Sequence, residues 1–144
     1  MTFRIATDQQ YGRPKVPPKR RKHDPEARKL RDHLSMVHVL PCIACGSRER
    51  VEAAHVRMAD LERGKDYTAK GKKPSHRWIL PLCASCHREG PTAQHSMSER
   101  VFWEMQDIDA IGQCIRLWEA TGDIEAMQFV IRTARQYNAG KDER

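Results

Sequence analysis

The chain has 144 residues, 31% charged and only 6% aromatic, with a formal net charge of +7. That length suits one domain with a modest core, and so few aromatics leave hydrophobic burial weak enough for a structural metal to matter. No run of eighteen apolar residues occurs and the first ten residues lack the apolar segment of a secretory signal, so a membrane span and export are not expected; a soluble, cytoplasmic protein is.

In chain order, residues 1–23 come first as a basic arm. Arg4, Arg13, Lys15, Lys19, Arg20, Arg21 and Lys22 face only Asp8, so most of the net charge sits in this segment. The run RPKVPPKRRKHDP is basic and punctuated by proline, so it reads as extended or disordered when free. Bound to a polyanion, Arg13, Lys15, Lys19, Arg20, Arg21 and Lys22 would neutralise phosphates and release counterions. A purely solubilising tail is the plainer reading.

From Asp24 the pattern becomes helical. Asp24 is a cap, Pro25 fits the first position, and Leu30, Leu34 and Val37 recur at helical spacing, which predicts a helix over 25–37. PCIACGSRERVEAAHVR then reads as a cysteine knuckle, a turn at Gly46 and a strand ending near Arg57. Residues 59–75 are charged, contain Gly64, Gly71 and Pro74 and lack periodicity, as a partly mobile loop would. HRWILPLC is a second short strand, and CASCHREG starts a second knuckle that leads into a helix or tight turn. Three further helices are predicted: 98–105, with Ser96 or Ser98 as cap; 109–120, with Ile111, Ile115 and Trp118 on one face; and one capped by Asp123 that buries Met127, Val130 and Ile131. These apolar stripes, with Phe102 and Trp103, read as core, and Cys114 as a small buried apolar residue.

The other four cysteines form two CxxC pairs, Cys42/Cys45 and Cys83/Cys86, with 37 residues between them. Two thiolates spaced this way grip one face of a tetrahedral ion, and two such knuckles complete a four-cysteine zinc site. Redox chemistry is the weaker reading, because the pair occurs twice and outside any βαβ pattern. Four thiolates leave zinc no open position, so catalysis needs other ligands. His55 ends the first strand, His76 precedes the second, His87 follows Cys86, and His95 lies eight residues beyond it. A knuckle joining these elements would gather the histidines at one place, with imidazoles suited to a phosphate-bound divalent cation.

The order CxxC, strand with His55, strand, LCASCH resembles the zinc-stapled HNH endonucleases. LPCIAC with the later His76-to-Cys83 segment is similar, more narrowly, to the RecA-dependent Ref-type nucleases of phage, over about residues 39–96. The resemblance implies an α+β fold: a small ββα-metal (HNH) core stapled by a zinc site of four cysteines and flanked by an N-terminal helix and C-terminal helices. On this reading, residues 24–105 make the nuclease core and 106–144 a helical extension packed on it. It implies a metal-dependent DNA endonuclease in phage recombination or DNA processing, with a recombinase filament as a further partner. His55 then matches the general base that deprotonates water, and His87 a ligand of a catalytic Mg²⁺ or Mn²⁺. His95 would be a second ligand, and His76 lies near the middle position that orients the loop or touches metal. Arg57, two residues beyond His55, would bind phosphate. One departure stands out: Ala54 occupies the position where a metal-binding aspartate or histidine is common. A non-catalytic zinc module that binds nucleic acid would explain the charge and the cysteines equally well.

Overall fold

Asp24 caps the first helix by accepting the Glu26 amide at 3.0 Å, and Pro25 supplies a pre-set φ at the first position of helix α1 (Pro25–Val37). The computed structural model describes residues 24–139, so the basic arm with Arg13, Lys15, Lys19, Arg20, Arg21 and Lys22 lies outside the described residues. Along α1 the deepest positions are His33 and Val37, while Leu30 and Leu34 are only partly buried. The leucine stripe was thus an incomplete guide, because a histidine takes the central place.

His33 is held there by chemistry as well as packing. Its Nδ1 lies 2.7 Å from the Thr121 hydroxyl, which itself donates to the Leu117 carbonyl, so His33 carries the Nδ1 proton. Its Nε2 is buried with no protein partner, and the ring meets Trp118 edge-on at 5.2 Å. Burial, helped by the charge of Lys29, pushes its pKa down to about 4. Below pH 6.5 the unfolded chain therefore takes up a proton that the folded chain refuses. Stability contributed by neutral His33 is complete above that pH and falls away toward pH 4, by roughly 2–3 kcal/mol. Urea unfolding between pH 7 and pH 4.5 should be distinctly less steep with pH in His33→Gln than in the wild type, and equal slopes would contradict this.

Strands β1 (Val51–His55) and β2 (Ile79–Cys83) pair antiparallel, with Val51 opposite Cys83, Ala54 opposite Leu80, and His55 opposite Ile79. Cys83 therefore stands at one end of the ladder and His55 at the other. All five β2 residues are buried, and both α1 and helix α3 (Ala110–Glu119) pack against this strand. The strand around His55 is shorter than expected: it stops at His55, and Arg57 is already outside the ladder.

After β2 comes a single π-helical turn, Ser85–Glu89, rather than a full helix. Gly90 ends it, its amide bonded to the Ser85 carbonyl at 2.9 Å, and Pro91 disfavours helical backbone at the preceding residue. A 3₁₀ turn, Gln94–Ser96, leads into α2 (Glu99–Met105), which buries Phe102 and Trp103. Ser98 stands at its N-cap without a side-chain bond, and Ser96 bonds Gly90 instead. On α3 the buried line is Ile111, Cys114 and Leu117; Ile115 and Trp118 are only partly covered. Cys114 fills the small space in that line and donates to the Ile79 carbonyl at 3.7 Å. Asp123 accepts the Ala126 amide at the start of α4 (Ile124–Ala139), which buries Met127, Val130 and Ile131.

The result is a small α+β fold whose buried residues form one core, from Val37 and Leu40 through the sheet to Ile131 and Ala134. The first half of the 59–75 loop is pinned to it. Asp60 and Lys65 exchange backbone hydrogen bonds of 2.8 Å around Gly64, whose φ of +79° favours glycine, and Lys65 is only 1% exposed. No helix among the described residues is long and apolar enough to cross a membrane.

Candidate metal centre and histidine site

The two knuckles meet at the Cys83 end of the ladder. Cys42, Cys45, Cys83 and Cys86 bring their sulfurs within 4.8 Å of one another, a group that could hold a metal ion such as zinc. Cys45 Sγ and Cys83 Sγ lie 3.6 Å apart. Four ligand bonds of about 2.3 Å in a tetrahedron put sulfurs about 3.8 Å apart, so the donor set fits zinc in size as well as in chemistry. The first knuckle is shaped by its backbone: the Cys45 amide points to Cys42 Sγ at 3.5 Å, and Gly46 closes the turn with a φ of +81°. A side chain at Gly46 would also run into the Arg135 guanidinium, which bonds the Cys45 carbonyl. The Ile43 amide donates to the Pro81 carbonyl at 2.9 Å and ties this knuckle to β2.

Burial pushes the Cys42 and Cys86 thiols up. Burial opposes ionisation of Cys45 too, but the Ser47 amide and the neighbouring sulfurs outweigh it and hold that thiol low. A metal binding all four would displace the remaining protons, so its affinity must rise with pH.

The histidines gather as two pairs. His87 and His95 stack edge to face with ring centres 4.5 Å apart, and His55 and His76 lie 5.6 Å apart. The pairs are close enough for the charge of His87 to bear on His55. Among the described residues, however, only the cysteines bring three or more candidate ligands within reach of one ion. Glu52 explains the orientation of His87. Its Oε2 lies 2.6 Å from His87 Nδ1, and Arg88 grips both carboxylate oxygens at 2.8–3.1 Å. That Arg88 bond, reinforced by His87, holds the Glu52 carboxyl down to about 2 against partial burial. An ionised Glu52 can only accept, so His87 donates from Nδ1, and Nε2 is the atom that would meet a metal. A second clamp, Arg50 to Glu89, fixes the other side of the same turn.

The His55 ring is half-buried, and its Nε2 is itself buried with no protein partner. Burial first, then the charges of His76, Lys73 and Arg57, lower its pKa to about 4, so the ring is neutral at pH 7. His95 is lowered in the same way, by burial and by His87. Arg57 does not line the strand: its guanidinium is exposed and donates to the Lys72 carbonyl at 3.2 Å, although its charge reaches His55 and His95. Ala54 is fully buried and offers no donor.

Gln94 and Glu99, which the motifs did not single out, join the strand end that carries His55 to the turn that carries His95. Gln94 Nε2 donates to the His55 carbonyl at 3.5 Å and to Glu99 at 3.4 Å. Glu99 also accepts the Arg57 amide on both oxygens at 3.0 Å and the Trp103 indole N–H at 3.4 Å. The QH pair next to an apolar helix start was the available signal. Comparison with family models, curated proteins and solved structures returns no match for the chain.

Proposed function

We propose that the chain is a metal-dependent, HNH-type endonuclease that hydrolyses DNA phosphodiester bonds on a ββα-metal core stapled by zinc at Cys42, Cys45, Cys83 and Cys86. The observation that carries this reading is the His87–His95 pair, oriented by Glu52 and close enough for the charge of His87 to act on a neutral His55. A structural cysteine site alone needs neither an oriented imidazole pair nor a neutral histidine whose buried Nε2 has no protein partner. His87 and His95 would hold the catalytic Mg²⁺ or Mn²⁺, with Glu52 fixing the His87 tautomer. Bound there, such a cation supplies positive charge for the phosphate and for the leaving 3′ oxygen. His55 takes the proton of the attacking water, and its neutral form is fully populated at pH 7. Arg57 and the basic arm hold flanking phosphates, His76 sets the His55 ring, and the same DNA chemistry suits recombination beside a recombinase filament.

The second reading, a non-catalytic zinc module for nucleic acid, is favoured by Ala54, a buried residue without a donor at a usual ligand position. Supercoiled plasmid with added Mg²⁺ or Mn²⁺ separates the two. Nicking is expected, with a raised metal requirement in both His87→Ala and His95→Ala. Unchanged metal dependence in the two variants rejects the ligand assignment, and no cleavage with any divalent ion favours the binding module. Glu52→Gln, which removes the charge opposite His87 Nδ1, is expected to weaken Mn²⁺ binding by about 10- to 100-fold while zinc content stays constant. A Mn²⁺ titration of cleavage checks this, and an unchanged midpoint would contradict it.

A further inference from the structure

Beyond Arg57, hydrolysis at the histidines makes no use of the loop that separates His55 from His76. Tyr67 in that loop exposes 78% of its surface, the most of any large apolar side chain among the described residues. With Lys65, Lys72, Lys73, Pro74 and Trp78 it lines a groove of about 350 Å³, in which Asp66 is the one acidic residue among the described lining. Lys70, Lys72 and Lys73 fall within four residues that contain no acidic group.

The groove is tied to the histidine site at both of its ends. Arg57 reaches across to the Lys72 carbonyl at 3.2 Å, the Val56 amide donates to the Trp78 carbonyl at 2.9 Å, and the Trp78 amide donates to the Ser75 carbonyl at 2.9 Å. The loop therefore departs two residues after His55 and returns immediately before His76. Lys73 is near enough for its charge to act on the His55 ring. A strand whose phosphate lies at His55 would run past the lysines and bring its neighbouring bases to Tyr67.

We propose that the 67–74 groove receives single-stranded DNA, with an unpaired base stacked on the Tyr67 ring and flanking phosphates on Lys72 and Lys73. The inference rests on the nuclease reading and names its substrate class, a strand with unpaired bases beside the bond to be cut. Every base has a π face that an aromatic ring can stack on, but in a duplex that face is covered by its neighbours, so an exposed tyrosine beside lysines selects unpaired strands. The lysines add affinity without sequence preference and make it dependent on salt.

The test is fluorescence anisotropy of the full, zinc-containing chain with a labelled oligothymidine strand and with a duplex of equal length, without added divalent cation. The wild type is expected to prefer the strand. Tyr67→Ala, at an exposed position that does not support the core, should weaken strand binding about tenfold and leave duplex binding nearly unchanged, while Tyr67→Phe keeps the affinity. Lys72→Ala with Lys73→Ala should weaken both forms and flatten the salt dependence. Equal wild-type affinity for strand and duplex, or strand binding indifferent to Tyr67→Ala, overturns the proposal. Binding is read without cleavage, so the two failures are distinct. A chain that cuts DNA but ignores Tyr67→Ala refutes the groove and spares the nuclease. A chain that cuts under no metal yet loses strand binding in Tyr67→Ala supports the groove and refutes the nuclease.

Discussion

Cys83→Ser is expected to lose bound zinc and to unfold at a temperature lower by about 20 °C, or without any cooperative transition. Structural zinc in small domains contributes about 10–16 kcal/mol of apparent binding free energy at neutral pH, as much as a whole domain's net stability. Cys83 is the most sensitive of the four because it serves two structures at once, pairing with Val51 in the sheet while its sulfur sits against Cys45. The sheet has only two strands of five residues, too small to persist without what is packed on it. Thermal melting by circular dichroism with metal analysis of the same sample checks the result. A zinc-free variant that melts at the wild-type temperature would show that the apolar core alone holds the fold.

His55→Ala is expected to reduce DNA cleavage by about 10²- to 10⁴-fold, the usual contribution of a positioned general base. Folding should be unharmed. The imidazole is neutral, only half-buried, and its Nε2 bonds no protein group, so its removal strands no partner. The lowered pKa has a sign that matters: His55 is half-protonated only near pH 4, so loss of its base function does not limit cleavage between pH 5 and 7. Single-turnover cleavage rates at saturating metal measure the factor. A loss below about threefold would remove His55 from the chemistry.

Much of the scaffold was legible in short signals. Asp24-Pro25 marks the start of α1, the CxxC spacings mark the sulfur cluster, and Asp123 marks the start of α4, because caps and metal knuckles are local chemistry that few residues decide. The knuckle and the turn at Gly46 pointed to the strand that carries His55 but not to its end. β1 closes at His55 because the next residues turn to Glu99 and to the loop, contacts more than forty and fifteen residues away respectively. Buried polar residues were the least legible. His33 replaces a leucine at the centre of α1 only because Thr121, 88 residues away, offers it a hydroxyl. Lys65 is covered because the Arg57 carbonyl lies 3.4 Å from its ammonium and the Trp78 ring lies beside it. The role of Glu52 was not legible either, because its partner His87 lies 35 residues further along the chain. The π turn that carries His87 is likewise set by Gly90-Pro91 and by two ion pairs across the sheet, one of them to Glu52.

The most direct test is cleavage of supercoiled plasmid at saturating Mn²⁺ by wild type and His55→Ala samples whose zinc content is measured alongside. The predicted result is one zinc per chain in both, nicking by the wild type, and its loss in the variant. A fully zinc-loaded wild type that leaves the plasmid intact with every divalent ion, or a His55→Ala chain that cuts as fast as the wild type, would contradict it.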